Sequence, residues 1–237
     1  MLPVTLLQLK NLASYEKNLA KLIEYIEQSD PQSIIVAPEL YITDFDYNNL
    51  DTACEFGEYA IKRLSEIVTT QTVILTFFRK IGSKIVNQAV AIHNRTVVHT
   101  QNKYKLFKFG NEDKHFSAGD GKDIEVFEVN GLKIAILICF ELRFKELWHK
   151  LEGADIICVP SQWGEPRKRH LEILGSALAV MNQCYVAIAN SSNSDMAKST
   201  ALYAPMGGVV IDDASESIES TIDLRQIKFM RKYLNLN

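Results

Sequence analysis

The chain is 237 residues long, 47% hydrophobic and 23% charged, and its formal net charge is -3 with both signs scattered along the sequence. A chain of this length buries a large apolar core as one domain or two small ones. It has no basic stripe to receive nucleic acid and no apolar run near the roughly 20 residues of a membrane span.

The first residues, MLPVTLLQLKNLASYEKN, lack the basic n-region and small-residue cleavage site of a signal peptide, and 3–9 read as a strand. Residues 14–29 place Leu19, Leu22, Ile23 and Ile26 at a helical period. SIIVAP (33–38) is a buried-type strand, and 52–69 reads as a helix with Ala60, Ile61, Leu64 and Ile67 on one face. Residues 72–78, 87–93 and 96–102 then read as three strands in succession, which predicts antiparallel neighbours.

A polar, irregular stretch runs from Lys108 to Asp123, and the strands DIEVFEV and LKIAILIC follow, joined by a hairpin turn at VNG. RFKELWHKLEG is helical and leads to the strand DIICVPS (155–161). A helix over 166–184 precedes the strand YVAIANS (185–191), and TALYAPMGGVVID (200–212) reads as two short strands around Pro205 and Gly207-Gly208. The tail, TIDLRQIKFMRKYLNLN, ends polar and basic. No repeat, low-complexity tract or linker divides the chain, so 1–237 reads as a single domain. Strands alternating with helices predict an α/β class with mixed sheet. Many β segments with few helices between them suit two sheets packed face to face with helices outside, although periodicity alone does not decide this.

Cys54, Cys139, Cys158 and Cys184 are too few for a disulfide framework and form no Cys-x-x-Cys pair, which argues against a zinc site. A reducing cytoplasm is the expected location. Cys54, Cys158 and Cys184 read as core residues.

Three polar residues stand where apolar runs end. Glu39 follows SIIVAP, Lys103 follows TVVHTQN, and Cys139 follows LKIAILI. Sites of α/β sheets gather at strand ends, where the buried scaffold stops and side chains face a crevice. A carboxylate, an ammonium and a thiol brought to one crevice form a nucleophilic set without histidine. The ammonium favours thiolate and offers a donor to a developing oxyanion, while the carboxylate takes the thiol proton and later activates water. Each residue read alone has a plainer reading: a solvated charge for Glu39 and Lys103, a packed hydrophobe for Cys139.

Three blocks change that balance. VAPELYIT (36–43), NKYKLFKFGNEDKHFSAGD (102–120) and ILICFELRFKEL (136–147) resemble, in order, the three motif blocks of the nitrilase superfamily, the carbon–nitrogen hydrolases. VTLLQLK, the block 160–191 and YAPMGGVV extend the resemblance over nearly the whole chain. The resemblance implies a four-layer α-β-β-α sandwich with two mixed sheets. It also implies Cys139 as nucleophile, Glu39 as general base and Lys103 as oxyanion-stabilising cation, with Glu112 where the family often carries an orienting glutamate. Glu112 equally reads as a solvated loop charge. Lys103 rather than Lys105 stands ahead of x-x-L-F. The backbone N–H of Phe140 is expected to complete an oxyanion hole. No metal or organic cofactor is required, and the family's habit of pairing subunits implies a homodimer or higher homo-oligomer, with RFKELWHKL a place to look for the interface.

CFELRF, KLFKFGNEDKHFSAG and SQWGEPRKRHLEIL resemble the omega-amidase group most, which implies a small carboxylate-bearing omega-amide such as 2-oxoglutaramate as substrate. Arg143 and Arg167 are candidates for its carboxylate and Trp163 for a pocket wall, against structural roles for all three. Phe140 stands where tyrosine is frequent, Glu141 where aspartate is common and Lys145 where proline is common. PELYITDF also lacks a glycine often found after the base. These departures weaken the substrate assignment without removing a catalytic group. A nitrilase or N-carbamoyl amino acid hydrolase with the same thiol, or a catalytically silent binding protein on this fold, are the competing readings.

Overall fold

The computed structural model describes residues 1–234. Two six-stranded sheets form it. The first runs β12-β1-β2-β3-β4-β5, from Ser217–Ile222, Leu2–Leu7, Ile34–Val36, Thr72–Ile81, Lys84–His93 and Thr96–Asn102. The second runs β11-β10-β9-β8-β7-β6, from Val209–Ile211, Ala201–Tyr203, Tyr185–Asn190, Ile156–Ser161, Leu132–Ile136 and Phe127–Val129. Both follow one plan, with parallel strands in the middle (β1, β2, β3 and β7, β8, β9) and antiparallel strands at the edges.

The pleat explains how the layers stack. Successive side chains on a strand face opposite ways. Ile34 and Val36 of β2 therefore join Ile134, Ile136, Cys158 and Ala187 in the core between the sheets. Ile35, one residue out of phase, packs instead with Leu19, Leu22 and Ile26 of helix α1 (Tyr15–Gln28) and Leu64 of α2 (Leu50–Ile67). Buried on both faces, such strands carry no polar alternation, which is why they read as continuous apolar runs. On the second sheet, Leu171 and Leu178 of α5 (Lys168–Met181) are buried against the outer face, where a Cβ on Gly175 of that helix would lie 2.7 Å from Ile188 Cδ1 of β9. The arrangement is α-β-β-α, as the resemblance implies.

The helices start where local chemistry favours it. Ser14 caps α1 by accepting the Lys17 N–H, and Asp223 caps α6 (Leu224–Tyr233) by accepting the Arg225 N–H. One expectation needs correction: the stretch 108–123 is not wholly irregular but contains a short helix, α3 (Glu112–His115). The chain ends in β12 and then α6, elements the local pattern did not assign. β12 alternates exposed and buried positions and pairs with β1 across almost the whole chain, so its partner is invisible to a local reading. The last three residues of the tail lie outside the described range. No helix among the described residues is long and apolar enough to cross a membrane.

Candidate active site

Glu39 lies three residues beyond β2, Lys103 directly follows β5, and Cys139 lies three residues beyond β7. Two of these strands belong to the first sheet and one to the second, so the site straddles the sandwich at one end. Lys103 Nζ donates to Glu39 Oε1 at 2.7 Å and to Glu112 Oε1 at 2.6 Å, with Lys103 and Glu39 at 0% exposure. Glu112 is buried at the start of α3, and its Oε2 accepts the Phe107 N–H at 2.8 Å. The solvated reading of Glu39, Lys103 and Glu112 is therefore excluded.

Burial opposes the charge on Lys103, but the two carboxylates outweigh it and hold the ammonium protonated above its ordinary range. Burial raises the Glu112 carboxyl against the pull of Lys103. The Cys139 thiol is pushed well above its ordinary value by burial first and by the Glu39 charge second, while Lys103 and the Gln162 backbone N–H act in the opposite direction. Burial and the Glu39 charge thus both favour the thiol form of Cys139 over the thiolate.

The two oxygens of Glu39 are held differently. Its Oε1 accepts from Lys103 and from Asn87 Nδ2 at 2.8 Å, whereas Oε2 has no hydrogen-bond partner among the described residues. Its backbone is fixed between the sheets: Glu39 N–H donates to Ser161 O, and Gln162 Nε2 donates to Glu39 O at 3.0 Å. Cys139 opens a 3-10 turn, Cys139–Arg143, with φ 50°, a left-handed backbone. For a residue other than glycine this costs about 1–3 kcal/mol and persists only where neighbours fix it.

A cavity of about 430 Å³ is lined by Glu39, Glu112, Cys139, Gln162, Phe107 and Arg167. A narrow recess sharing Cys139, Phe107, Gln162 and Arg167 adds Phe140, Arg143 and Trp163. All the sequence-derived site residues thus meet in one place. The Arg143 guanidinium lies 4.5 Å from the centre of the Trp163 ring, and that of Arg167 lies 5.0 Å from the Phe107 ring. Arg143 Nη2 is 3.1 Å from His170 Nδ1, and neither arginine has a carboxylate partner among the described residues. Burial and then the like charge of Arg167 lower the Arg143 pKa, the mark of two cations held close without a counter-ion.

Sequence reasoning missed Asn87, Gln162 and the role of Glu141. Asn87 had a signal: it shares a strand face with Ala89 and Ala91, which point into the inter-sheet core, so an amide there needs a polar partner. Gln162 had none, because its partners are a distant carbonyl and Asp44.

A family model for carbon–nitrogen hydrolases matches residues 3–232. A 2-oxoglutaramate amidase of Bacillus subtilis (strain 168) is 30% identical over 233 residues, covering 91% of this chain and 88% of that protein. The omega-amidase YafV of Escherichia coli (strain K12) is 27% identical over 184 residues, 75% of this chain and 69% of its own. Among solved structures, XC1258 from Xanthomonas campestris superposes with a TM-score of 0.86 at 19% identity, covering 99% of this chain and 95% of the other.

Proposed function

The chain belongs to the carbon–nitrogen hydrolase family and is an amidohydrolase of bonds other than the peptide bond; from that premise we propose that it removes ammonia from a small carboxylate-bearing omega-amide, of the 2-oxoglutaramate kind, through a Cys139 thioester. The observation that carries the reading is that Lys103 bridges Glu39 and Glu112, two carboxylates that line one cavity with Cys139.

In this reading Glu39 Oε2 takes the Cys139 proton as the sulfur bonds to the amide carbon. The carbonyl oxygen becomes negative and is met by the Lys103 ammonium and the Phe140 backbone N–H, an arrangement whose single donors are worth about 3–4 kcal/mol. The carbon–nitrogen bond then breaks, the proton passes from Glu39 to the departing nitrogen, and ammonia leaves. Water attacks the thioester, gives its proton to Glu39, and the acid departs as the thiol reforms. Glu112 keeps the ammonium aimed while Glu39 exchanges its proton. The uncompensated Arg143 and Arg167 receive the substrate carboxylate, and Trp163 walls the recess.

The homologous amidases support the substrate class, and the paired arginines support it independently. The test is an ammonia-release screen of small omega-amides, neutral amides, nitriles and N-carbamoyl amino acids on the wild type and Cys139→Ala together. Carboxylate-bearing amides should be turned over by the wild type alone. Activity that survives Cys139→Ala, or confinement of turnover to nitriles or carbamoyl compounds, refutes the reading. A fully inactive wild type favours a silent binding protein.

Cytoplasmic location suits four unpaired thiols. For the paired subunits, α5 and the edge strand β11 suit an interface better than α4 (Lys145–Lys150). Trp148 of α4 packs on the core and donates to Leu142 O, whereas Ile173, Met181, Val209 and Ile211 are exposed around a cavity of about 700 Å³ away from the catalytic groups. Light scattering should find a dimer or larger assembly, and Val209→Lys should shift it towards monomer.

A further inference from the structure

Glu141 is fully buried two residues after the nucleophile, and no cationic side chain forms an ion pair with it among the described residues. Its carboxylate is occupied entirely by backbone. Oε2 accepts the N–H of Ile138, the residue before Cys139, at 2.7 Å. Oε1 accepts the N–H of Tyr104, the residue after Lys103, at 2.7 Å, and that of Lys105 at 3.4 Å. The same residue's main chain closes the turn, donating from its N–H to Ile138 O and accepting from Phe144 N–H. One side chain thus ties the turn that carries the sulfur, on the second sheet, to the strand exit that carries the ammonium, on the first.

We propose that Glu141 is a positioning residue that fixes the separation of Cys139 and Lys103 and holds the left-handed backbone of the nucleophile, resting on the Cys-Glu-Lys hydrolase reading above. The geometry needs both oxygens and the full length of glutamate. Glutamine presents an NH₂ to one of the backbone N–H donors, and aspartate is a methylene too short to span both sides. Burial raises this carboxyl to about 7, which is the cost of using an anion for the tie.

The experiment compares Glu141→Gln and Glu141→Asp with the wild type in melting temperature, kcat, KM and the rate of Cys139 alkylation by iodoacetamide, read by peptide mass spectrometry. Misplacement by an ångström costs on the order of 100-fold in rate. A folded variant of either kind should lose at least about tenfold in kcat and in alkylation rate with KM unchanged, on the scale that misplacement sets. Folded variants that keep both rates within about twofold, a standard well below that scale, overturn the proposal. So does failure of both variants to fold, since Glu141 is then a structural residue only. Alkylation needs no substrate, so a wild type inactive towards every amide refutes the hydrolase reading while leaving this measurement able to decide the tie.

Discussion

Lys103 Nζ sits 2.7 Å from Glu39 Oε1 with neither side chain exposed, and the second oxygen of Glu39 has no partner among the described residues. The ion pair is therefore unequal: Lys103 engages one oxygen and leaves the other open. Removing the ammonium leaves Glu39 and Glu112 as two buried carboxylates without their shared cation. Breaking a buried pair this way costs about 3–5 kcal/mol. Lys103→Met should lose turnover entirely and melt at lower temperature, which activity assays and calorimetry check.

Glu112 accepts from both Lys103 Nζ and the Phe107 N–H. Glu112→Gln keeps the bond to Phe107 N–H or that to Lys103, not the charge, so the ammonium gains freedom without disappearing. We expect kcat to fall about 10- to 100-fold, from the loss of a charge-assisted hydrogen bond of about 1.5–3 kcal/mol, with little change in KM. Steady-state kinetics on the best amide substrate check it.

The arginines should act on substrate recognition instead. Arg143→Leu and Arg167→Leu should each raise KM for carboxylate-bearing amides about 10- to 100-fold, on the scale of a hydrogen bond to a charged group. Hydrolysis of a neutral amide of the same size should be unaffected or improved, because two like charges no longer repel. Equal losses on both substrates would make the arginines structural.

Burial raises the Glu141 carboxyl from 4.5 to about 7. Between these values the native protein retains a proton that the unfolded chain has released, so stability falls as pH rises through the window. For a fully buried group the shift amounts to about 3 kcal/mol. Urea midpoints measured from pH 4 to 8 should show this decline in the wild type and a flatter profile in Glu141→Gln.

Gly119 runs against the strand that presents Lys103: its N–H donates to Lys103 O at 2.8 Å, and a Cβ there would lie 2.8 Å from Asn102 Cβ and 2.9 Å from Asn102 O. Backbone cannot retreat as a flexible side chain does. Gly119→Ala should destabilise by about 1–3 kcal/mol and also reduce kcat, since the displaced residue adjoins the lysine. Thermal melts and kcat on one preparation check both.

The pleated runs of β2, β7 and β8 were legible because a strand buried on both faces has to be apolar throughout, and the helical periods of α1 and α2 because one face meets a sheet. β12 and α6 were not: one pairs with β1 at the opposite end of the chain, and the other presents a mostly exposed face. Asn87 was legible in principle from its phase with Ala89 and Ala91. The Cys-Glu-Lys set was visible only as three strand ends, supported by resemblance to known motif blocks.

By itself, then, the sequence determined which segments are apolar enough to form strands, and which polar groups stand where those strands stop. Only the tertiary structure decided that Lys103 is shared by two carboxylates, that one oxygen of Glu39 is free, and that Glu141 spans the two sheets. Strand identity follows from the hydrophobicity of neighbours in sequence. Hydrogen bonding at 2.7 Å between residues 37 and 64 positions apart follows from sheet stacking, which no local pattern encodes.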